Sequence, residues 1–247
     1  MPPRVIFGGL KMKSMFRVVA GCIAVVGMVA APANAGQKAE KIKLTPDSDR
    51  ALIIVKTDRI DPPPTKASGY HLTLSPYDAE NEALGGSIFG GRFTLKAKPN
   101  LFYDGYMVID VRPGTYVVQE FSRQDLWALC FNDKSVSFTV KPGEAVFLGD
   151  FDARGMLREL EMRAITSGRV VTTGALVHFF DGPAPRFSAP TEAGVAEAQT
   201  LVDTRMPKAT VTVRPVEYQG AKFGTGRDLF GTNRVCGGYY SGSASKD

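Results

Sequence analysis

"VRPGTYVVQEF" (residues 111–121) and "VKPGEAVFLGDF" (residues 140–151) share one pattern, in which a basic residue and Pro-Gly separate two apolar runs. Proline presets the first central dihedral of a β-turn, and glycine accepts the positive φ that a type II turn needs at the second. We therefore predict type II turns at 112–115 and 141–144, each reversing the chain between neighbouring strands.

The segments around these turns alternate apolar and polar residues. The alternation is clear in 70–74, 93–97, 107–111 and 136–140, and a period of two indicates half-buried strands. Asp104-Gly105 is typical of a two-residue hairpin turn. The same alternation in "LRELEMRA" (157–164) predicts one more strand. Short sequential strands joined by local turns predict a mainly β protein, an antiparallel β-sandwich built as a meander.

The C-terminal part has a different pattern. The Pro-rich stretch 181–190 is predicted to be a linker that ends a sandwich domain of residues 36–180. After it, "TEAGVAEAQTLVDTR" (191–205) has apolar residues at helical spacing, Thr191 or Ser188 as a cap and Pro207 as a stop. We predict one helix there, a strand at 210–218 and a glycine-rich tail, which together form an extension over residues 191–247.

Residues 1–35 have the pattern of a bacterial export signal. Basic residues precede an apolar run at 18–31, which is shorter than the ~20 residues that span a bilayer as a helix. Ala33 and Ala35 form an A-x-A cleavage pattern before Gly36. We expect cleavage after Ala35 and a periplasmic or secreted protein without a transmembrane segment; translation from Met1, Met12 or Met15 stays open.

Removing the predicted signal changes the charge of the chain. Residues 1–35 contain four of the 30 basic residues and none of the 25 acidic ones, so 26 basic residues remain against 25 acidic ones. Nucleic-acid binding needs a clustered basic excess. A nucleic-acid partner is therefore not expected.

Two cysteines, Cys130 and Cys236, remain after cleavage. Disulfides persist in exported proteins, so one bridge between them is the simplest interpretation. Two buried thiols that never meet are the alternative, because cysteine also serves as a small core residue.

Two segments have the spacing of known ligand loops without the full set of ligands. Asp150, Asp152, Gly155 and Glu161 occupy calcium-loop positions, but Arg154 stands where a ligand oxygen belongs. "GRDLFGTN" (226–233) has the glycine spacing of a phosphate-binding loop without its lysine. We interpret the first as acidic residues at the end of a strand and the second as a glycine-rich loop.

Catalytic signatures are equally incomplete. The two histidines, His71 and His178, lie far from any Gly-x-Ser-x-Gly motif, and no cysteine or histidine cluster has zinc-ligand spacing. We therefore assign no catalytic, cofactor or metal residue. A secreted hydrolase whose site assembles from distant residues stays open as the alternative.

Two aromatic groups are candidate contact surfaces. Trp127, Leu129 and Phe131 form a stripe that we interpret as sandwich core. Tyr239 and Tyr240 follow Gly237-Gly238 and are the candidate binding surface, because tyrosine offers apolar area with a polar tip. The alternative is that they hold the tail against the sheet.

The strand-RPGTY-strand pattern resembles the carboxypeptidase-regulatory and transthyretin-like β-sandwich domains, which have a Pro-Gly-x-Tyr turn between consecutive strands. The resemblance covers residues 50–155 and depends on "VRPGTYVV" and "VKPGEAVFLGDF". It implies a sandwich fold and an accessory or adhesion role. The expected function is thus a non-catalytic binding or structural module of the bacterial cell envelope, with an envelope protein or glycan as partner and no cofactor.

Overall fold

The computed structural model describes residues 38–57, 69–85, 92–98, 101–123, 127–167, 178–224, 226–227 and 234–236. The predicted signal (1–35), Tyr239, Tyr240 and residues 228–233 lie outside these ranges. The helices are α1 (Ala153–Thr166) and α2 (Glu192–Arg205). The strands are β1 (Ala51–Thr57), β2 (Tyr70–Asp78), β3 (Ala83–Leu84), β4 (Phe93–Ala97), β5 (Phe102–Tyr103), β6 (Tyr106–Val111), β7 (Gly114–Arg123), β8 (Trp127–Cys130), β9 (Ser135–Val140), β10 (Ala145–Phe151), β11 (His178–Asp181), β12 (Phe187–Ser188), β13 (Val213–Pro215), β14 (Gln219–Ala221), β15 (Gly226–Arg227) and β16 (Arg234–Val235).

The described strands form two large sheets, as predicted for a mainly β sandwich with a C-terminal helix, and β15 and β16 form a separate two-stranded sheet. The first sheet has the order β12-β10-β1-β6-β5, and β13 also pairs with β10. The second has the order β11-β8-β7-β2-β3, with β4 beside β2 and with β9 between β7 and β14. The pairs β1–β10, β10–β13 and β8–β11 are parallel, so the sheets are mixed and the meander is only part of the topology.

Most of the buried apolar residues form two layers. Ile53 and Val55 of β1 face the second sheet, where they meet residues such as Leu72 and Phe121. Leu52 and Ile54 face the other way, into a layer closed by α2 and by residues 39–44. The nearly continuous apolar run "ALIIV" therefore reflects a strand that is covered on both faces.

The two Pro-Gly turns have different conformations. Gly143 has a φ of 69° and the Glu144 N–H donates to the Lys141 carbonyl at 3.3 Å, which fits a type II turn. Gly114 has a φ of 150° and begins β7, so the type II prediction for 112–115 is wrong. There the Arg112 carbonyl accepts a hydrogen bond from the Tyr116 hydroxyl at 2.6 Å.

The Asp104-Gly105 prediction is confirmed. Asp104 has a φ of 53° and Gly105 a φ of 95°, as in a type I′ turn. The turn pairs Tyr103 with Tyr106 and so sets the register of β5 against β6.

The prediction of a strand at 157–164 is wrong, because these residues belong to α1. The Asp152 side chain caps this helix by accepting the Gly155 N–H at 2.7 Å. Met156 and Leu160 are buried at helical spacing against the core between the sheets. The alternation of apolar residues at 160, 162 and 164 suggests one buried face of a strand, but only Leu160 of these three residues is buried.

The C-terminal helix has the predicted start. The Thr191 hydroxyl accepts the Gly194 N–H at 3.1 Å, and α2 ends two residues before Pro207. The strand predicted at 210–218 is shorter, because only Val213–Pro215 pairs with β10. The Pro-rich stretch 181–190 contains β12, which pairs with the end of β10. Among the described residues, neither helix combines the length and hydropathy of a bilayer-crossing segment.

Candidate functional site

An open groove of about 510 Å³ lies on the outer side of the second sheet and is lined mainly by polar side chains. We call it the polar groove. Three segments contribute to it: the β2–β3 hairpin, the turn before β9 together with the first residues of β9, and β14 with the residue after it. Its side chains include Tyr77, Glu82, Asp133, Lys134, Ser135, Ser137, Gln219 and Lys222.

Strand pairing forms the floor of the polar groove. β14 runs antiparallel to β9, with Gln219 opposite Ser137 and Ala221 opposite Ser135. Directly opposed residues point to the same side of a sheet, so these four side chains share one face. Ser135 is fixed further by its hydroxyl, which donates to the Val118 carbonyl at 2.5 Å. The floor is therefore built on paired strands, which hold their side chains more rigidly than loops do.

The β2–β3 hairpin forms one wall and is bonded to the end of β14. The Tyr77 hydroxyl donates to the Lys222 carbonyl at 2.9 Å, and Lys222 Nζ lies 3.0 Å from Glu82 Oε2. Beneath this wall, Leu84 packs with Val117 and Phe223 in a small apolar cluster. These contacts join residues far apart in the sequence and keep the wall in place.

The polar groove offers charges of both signs. Burial raises the pKa of the Tyr77 hydroxyl, and the hydrogen bond to Glu82 raises the pKa of Lys222. Tyr77 is therefore neutral and Lys222 cationic near pH 7. Asp133 and Lys134 add a second pair of opposite charges, both exposed. Hydroxyls, an amide, two acids and two bases suit a ligand rich in hydrogen-bonding groups more than a strongly charged one.

A buried polar contact attaches Cys236 to the same sheet. Gln119 of β7 is fully buried; its Nε2 donates to the Cys236 carbonyl, while its Oε1 accepts from the Ser75 hydroxyl. Cys130 and Cys236 lie at disulfide distance, with Cα atoms 5.4 Å apart. α2 lies on the outer face of the other sheet. The helix is therefore packed against the first sheet.

The other residues singled out from the sequence lie outside the polar groove. His71 is only 2% exposed on β2, and His178 begins β11. Asp152 caps α1, and Asp150 belongs to β10, so the calcium-loop spacing falls across a strand-to-helix junction. Within the described ranges, no group of three or more acidic, histidine or cysteine residues is placed to hold a metal ion.

The aromatic stripe of β8 has the expected position. Leu129 and Phe131 are fully buried in the core between the sheets, and Trp127 packs at its margin, with its ring stacked 5.8 Å from that of Phe180.

The sequence did not predict the polar groove, because the residues of the groove come from three separate segments without a shared motif. The hint in the sequence was the run of turn-forming polar residues at 132–135.

Comparison of the chain with protein-family models, curated proteins and solved structures gives no significant match.

Proposed function

We propose that this protein is an exported, non-catalytic binding module of the bacterial cell envelope, and that the polar groove is its ligand site. The observation that carries the proposal is the groove itself, an open hollow of about 510 Å³ on a floor of paired strands. A preorganised floor lowers the conformational cost of binding.

A glycan is the ligand class that fits the groove best. Sugars present many hydroxyls and amides at close spacing, and the groove offers donors and acceptors in similar density from Ser137, Gln219, Asp133 and Lys134. Tyr77 adds an aromatic ring with a polar tip to the wall. The balanced charges favour a neutral or zwitterionic polymer over a polyanion.

Export is supported by the sequence pattern at 1–35 and by the cysteine pair at disulfide distance, since disulfides persist in oxidising compartments. The resemblance of "VRPGTYVV" to transthyretin-like modules supports an accessory role. N-terminal sequencing of the protein recovered from the periplasm or medium tests export: we expect Gly36 as the first residue.

Calorimetric titration of the mature protein with soluble cell-wall glycan fragments tests the ligand site. We expect binding that weakens about tenfold or more in Asp133→Ala and in Gln219→Ala, because each removes an exposed hydrogen-bonding group of the groove. Asp47→Ala is the matched control, since it removes an equally exposed carboxylate outside the groove. Equal binding by all variants, or no binding, would contradict the site. Release of cleaved fragments by the wild-type protein would instead support the hydrolase alternative.

A further inference from the structure

Helix α1 has two faces of opposite character. Ala153, Met156 and Leu160 are buried against the core. At about 100° per residue, a second set of residues falls within an arc of about 80° on the opposite side. We call this set, Arg154, Arg158, Met162 and Ile165, the outward stripe.

The first half of the outward stripe is basic. Arg154 and Arg158 line a hollow of about 270 Å³, which Arg186 joins from the segment before β12. Two carboxylates also line it, but both already have partners. Asp152 accepts the Gly155 N–H at 2.7 Å and lies 3.5 Å from Arg186, and Glu159 accepts from Arg163 at 2.8 Å. With three guanidinium groups and two carboxylates, the lining of the hollow has a net charge of +1 (3 − 2).

The second half of the outward stripe is apolar and unusually exposed. Met162 is 58% exposed and Ile165 is 73% exposed, and they are the large apolar side chains that the described residues leave open to solvent. Exposed apolar side chains grouped beside a polar rim mark contact sites for proteins or membranes. Here the group lies about one to two helical turns beyond Arg158.

We propose that the outward stripe docks on an anionic phospholipid surface, with the guanidinium groups on lipid phosphates and Met162 and Ile165 at the boundary of headgroups and acyl chains. Guanidinium groups bind phosphate oxygens with paired hydrogen bonds. A surface helix gains affinity from its apolar face and from attraction to anionic lipids together. A free phosphate ion would use the arginines but not the apolar pair. The stripe is separate from the polar groove, so this inference does not depend on the proposed function.

Sedimentation of the full mature protein with vesicles tests the proposal. One set of vesicles contains phosphatidylcholine alone, and the other adds an equal part of phosphatidylglycerol. We expect binding only to the anionic vesicles, and weaker binding as salt increases. Arg154→Gln/Arg158→Gln should weaken binding about 30-fold, since each basic side chain near an anionic surface contributes about a factor of five. Met162→Ser/Ile165→Ser should weaken it about tenfold.

The double variant Lys43→Gln/Lys208→Gln is the matched control, because it removes two positive charges from exposed positions away from α1. Circular dichroism confirms that each variant is folded. Equal loss in this control would show attraction by net charge and would overturn the proposal. If Met162→Ser/Ile165→Ser bound the anionic vesicles as well as the wild-type protein does, the arginines would recognise phosphate without insertion of the apolar pair, and this result would also overturn the proposal. The proposal would also be overturned if the protein did not bind vesicles, or if it bound an acidic polypeptide and not the vesicles.

Discussion

Gly143 is the residue of the second Pro-Gly turn that leaves no room for a side chain. Its φ of 69° strains any L-residue, and a Cβ atom would lie 2.1 Å from the Pro46 carbonyl oxygen. The Gly143 N–H also donates to the Arg50 carbonyl at 2.8 Å. The turn is therefore packed, backbone against backbone, on the segment that leads into β1.

We predict that Gly143→Ala lowers the free energy of unfolding by about 3 kcal/mol or more, because the contact with Pro46 adds to the cost of about 1–2 kcal/mol for an L-residue at positive φ. Gly105→Ala is the control: its φ is 95°, but its Cβ would lie 3.6 Å from the nearest atom, an ordinary contact. Urea unfolding of both variants gives the difference. Equal losses would mean that the segment around Pro46 moves aside.

Tyr116 is the tyrosine of the first Pro-Gly motif, and its contacts account for a tyrosine at this position. Its ring is buried between the sheets and its hydroxyl donates to the Arg112 carbonyl at 2.6 Å. We predict that Tyr116→Phe costs about 1–2 kcal/mol at pH 7, the usual effect of removing one such hydrogen bond. Thermal and urea unfolding measure it. An unchanged stability would mean that this bond contributes nothing.

The same hydroxyl gives a pH-dependent prediction. Burial raises the pKa of Tyr116 from 10.0 to about 12. The folded state therefore holds this proton more tightly, so its contribution is complete below pH 10 and is lost as the pH rises towards 12. We expect the stability gap between the wild-type protein and Tyr116→Phe to shrink over this range in unfolding curves; a constant gap would contradict the shift.

At the scale of elements, α2 protects the free edge of β13. The Gln199 side chain accepts the Val213 N–H at 2.8 Å and donates to the Val211 carbonyl at 3.2 Å, as a neighbouring strand would. Two residues further along β13, the next backbone nitrogen on this edge belongs to Pro215, which has no N–H to donate. An open strand edge invites pairing with another chain, and this arrangement closes it.

We predict that Gln199→Glu destabilises the protein by about 1–3 kcal/mol and promotes aggregation on heating. A carboxylate cannot donate to the Val211 carbonyl, and it would face Asp203, which now accepts from Gln199 at 2.8 Å. Thr200→Glu adds the same charge at an exposed position of α2 and is the control. Thermal unfolding with light scattering compares them; equal behaviour would show that the edge needs no protection.

The elements that the sequence predicted are those specified by local chemistry. The Asp104-Gly105 hairpin and the Thr191 cap depend on residues within a few positions of each other, and both were predicted. Helix α1 was not predicted because the alternation of residues 157–164 matches the period of a strand, whereas the helical spacing is visible only in the two buried residues Met156 and Leu160. The polar groove was missed because Tyr77 and Lys222 meet only through long-range pairing.

At the scale of the molecule, the cysteine pair would fasten the C-terminal residues to the second sheet. Cys130 is on β8, and Cys236 is 106 positions later, with its carbonyl bonded to the buried Gln119. A bridge of that span removes many open conformations from the unfolded chain. In the chain-entropy description it is worth about 4–5 kcal/mol.

We predict that the chain without residues 1–35 has no free thiol when it is unfolded and unreduced, and that Cys130→Ser/Cys236→Ser loses about 4–5 kcal/mol of stability. Thiol titration in denaturant and urea unfolding measure the two quantities. Two free thiols per chain would show that the cysteines are close but unbonded, and the stability loss would then be far smaller.

The central position of β1 determines when the sandwich can form. β1 lies between β6 and β10 in the first sheet, and it pairs in parallel with β10. In the described chain, the eight strands β2 to β9 come between these two partners. Contacts of such long range slow folding, because the intervening chain must be ordered before they form. Until β10 arrives, "ALIIV" remains a cohesive apolar segment with one unpaired edge. The first sheet can therefore close around β1 only after synthesis has passed residue 151, the last residue of β10.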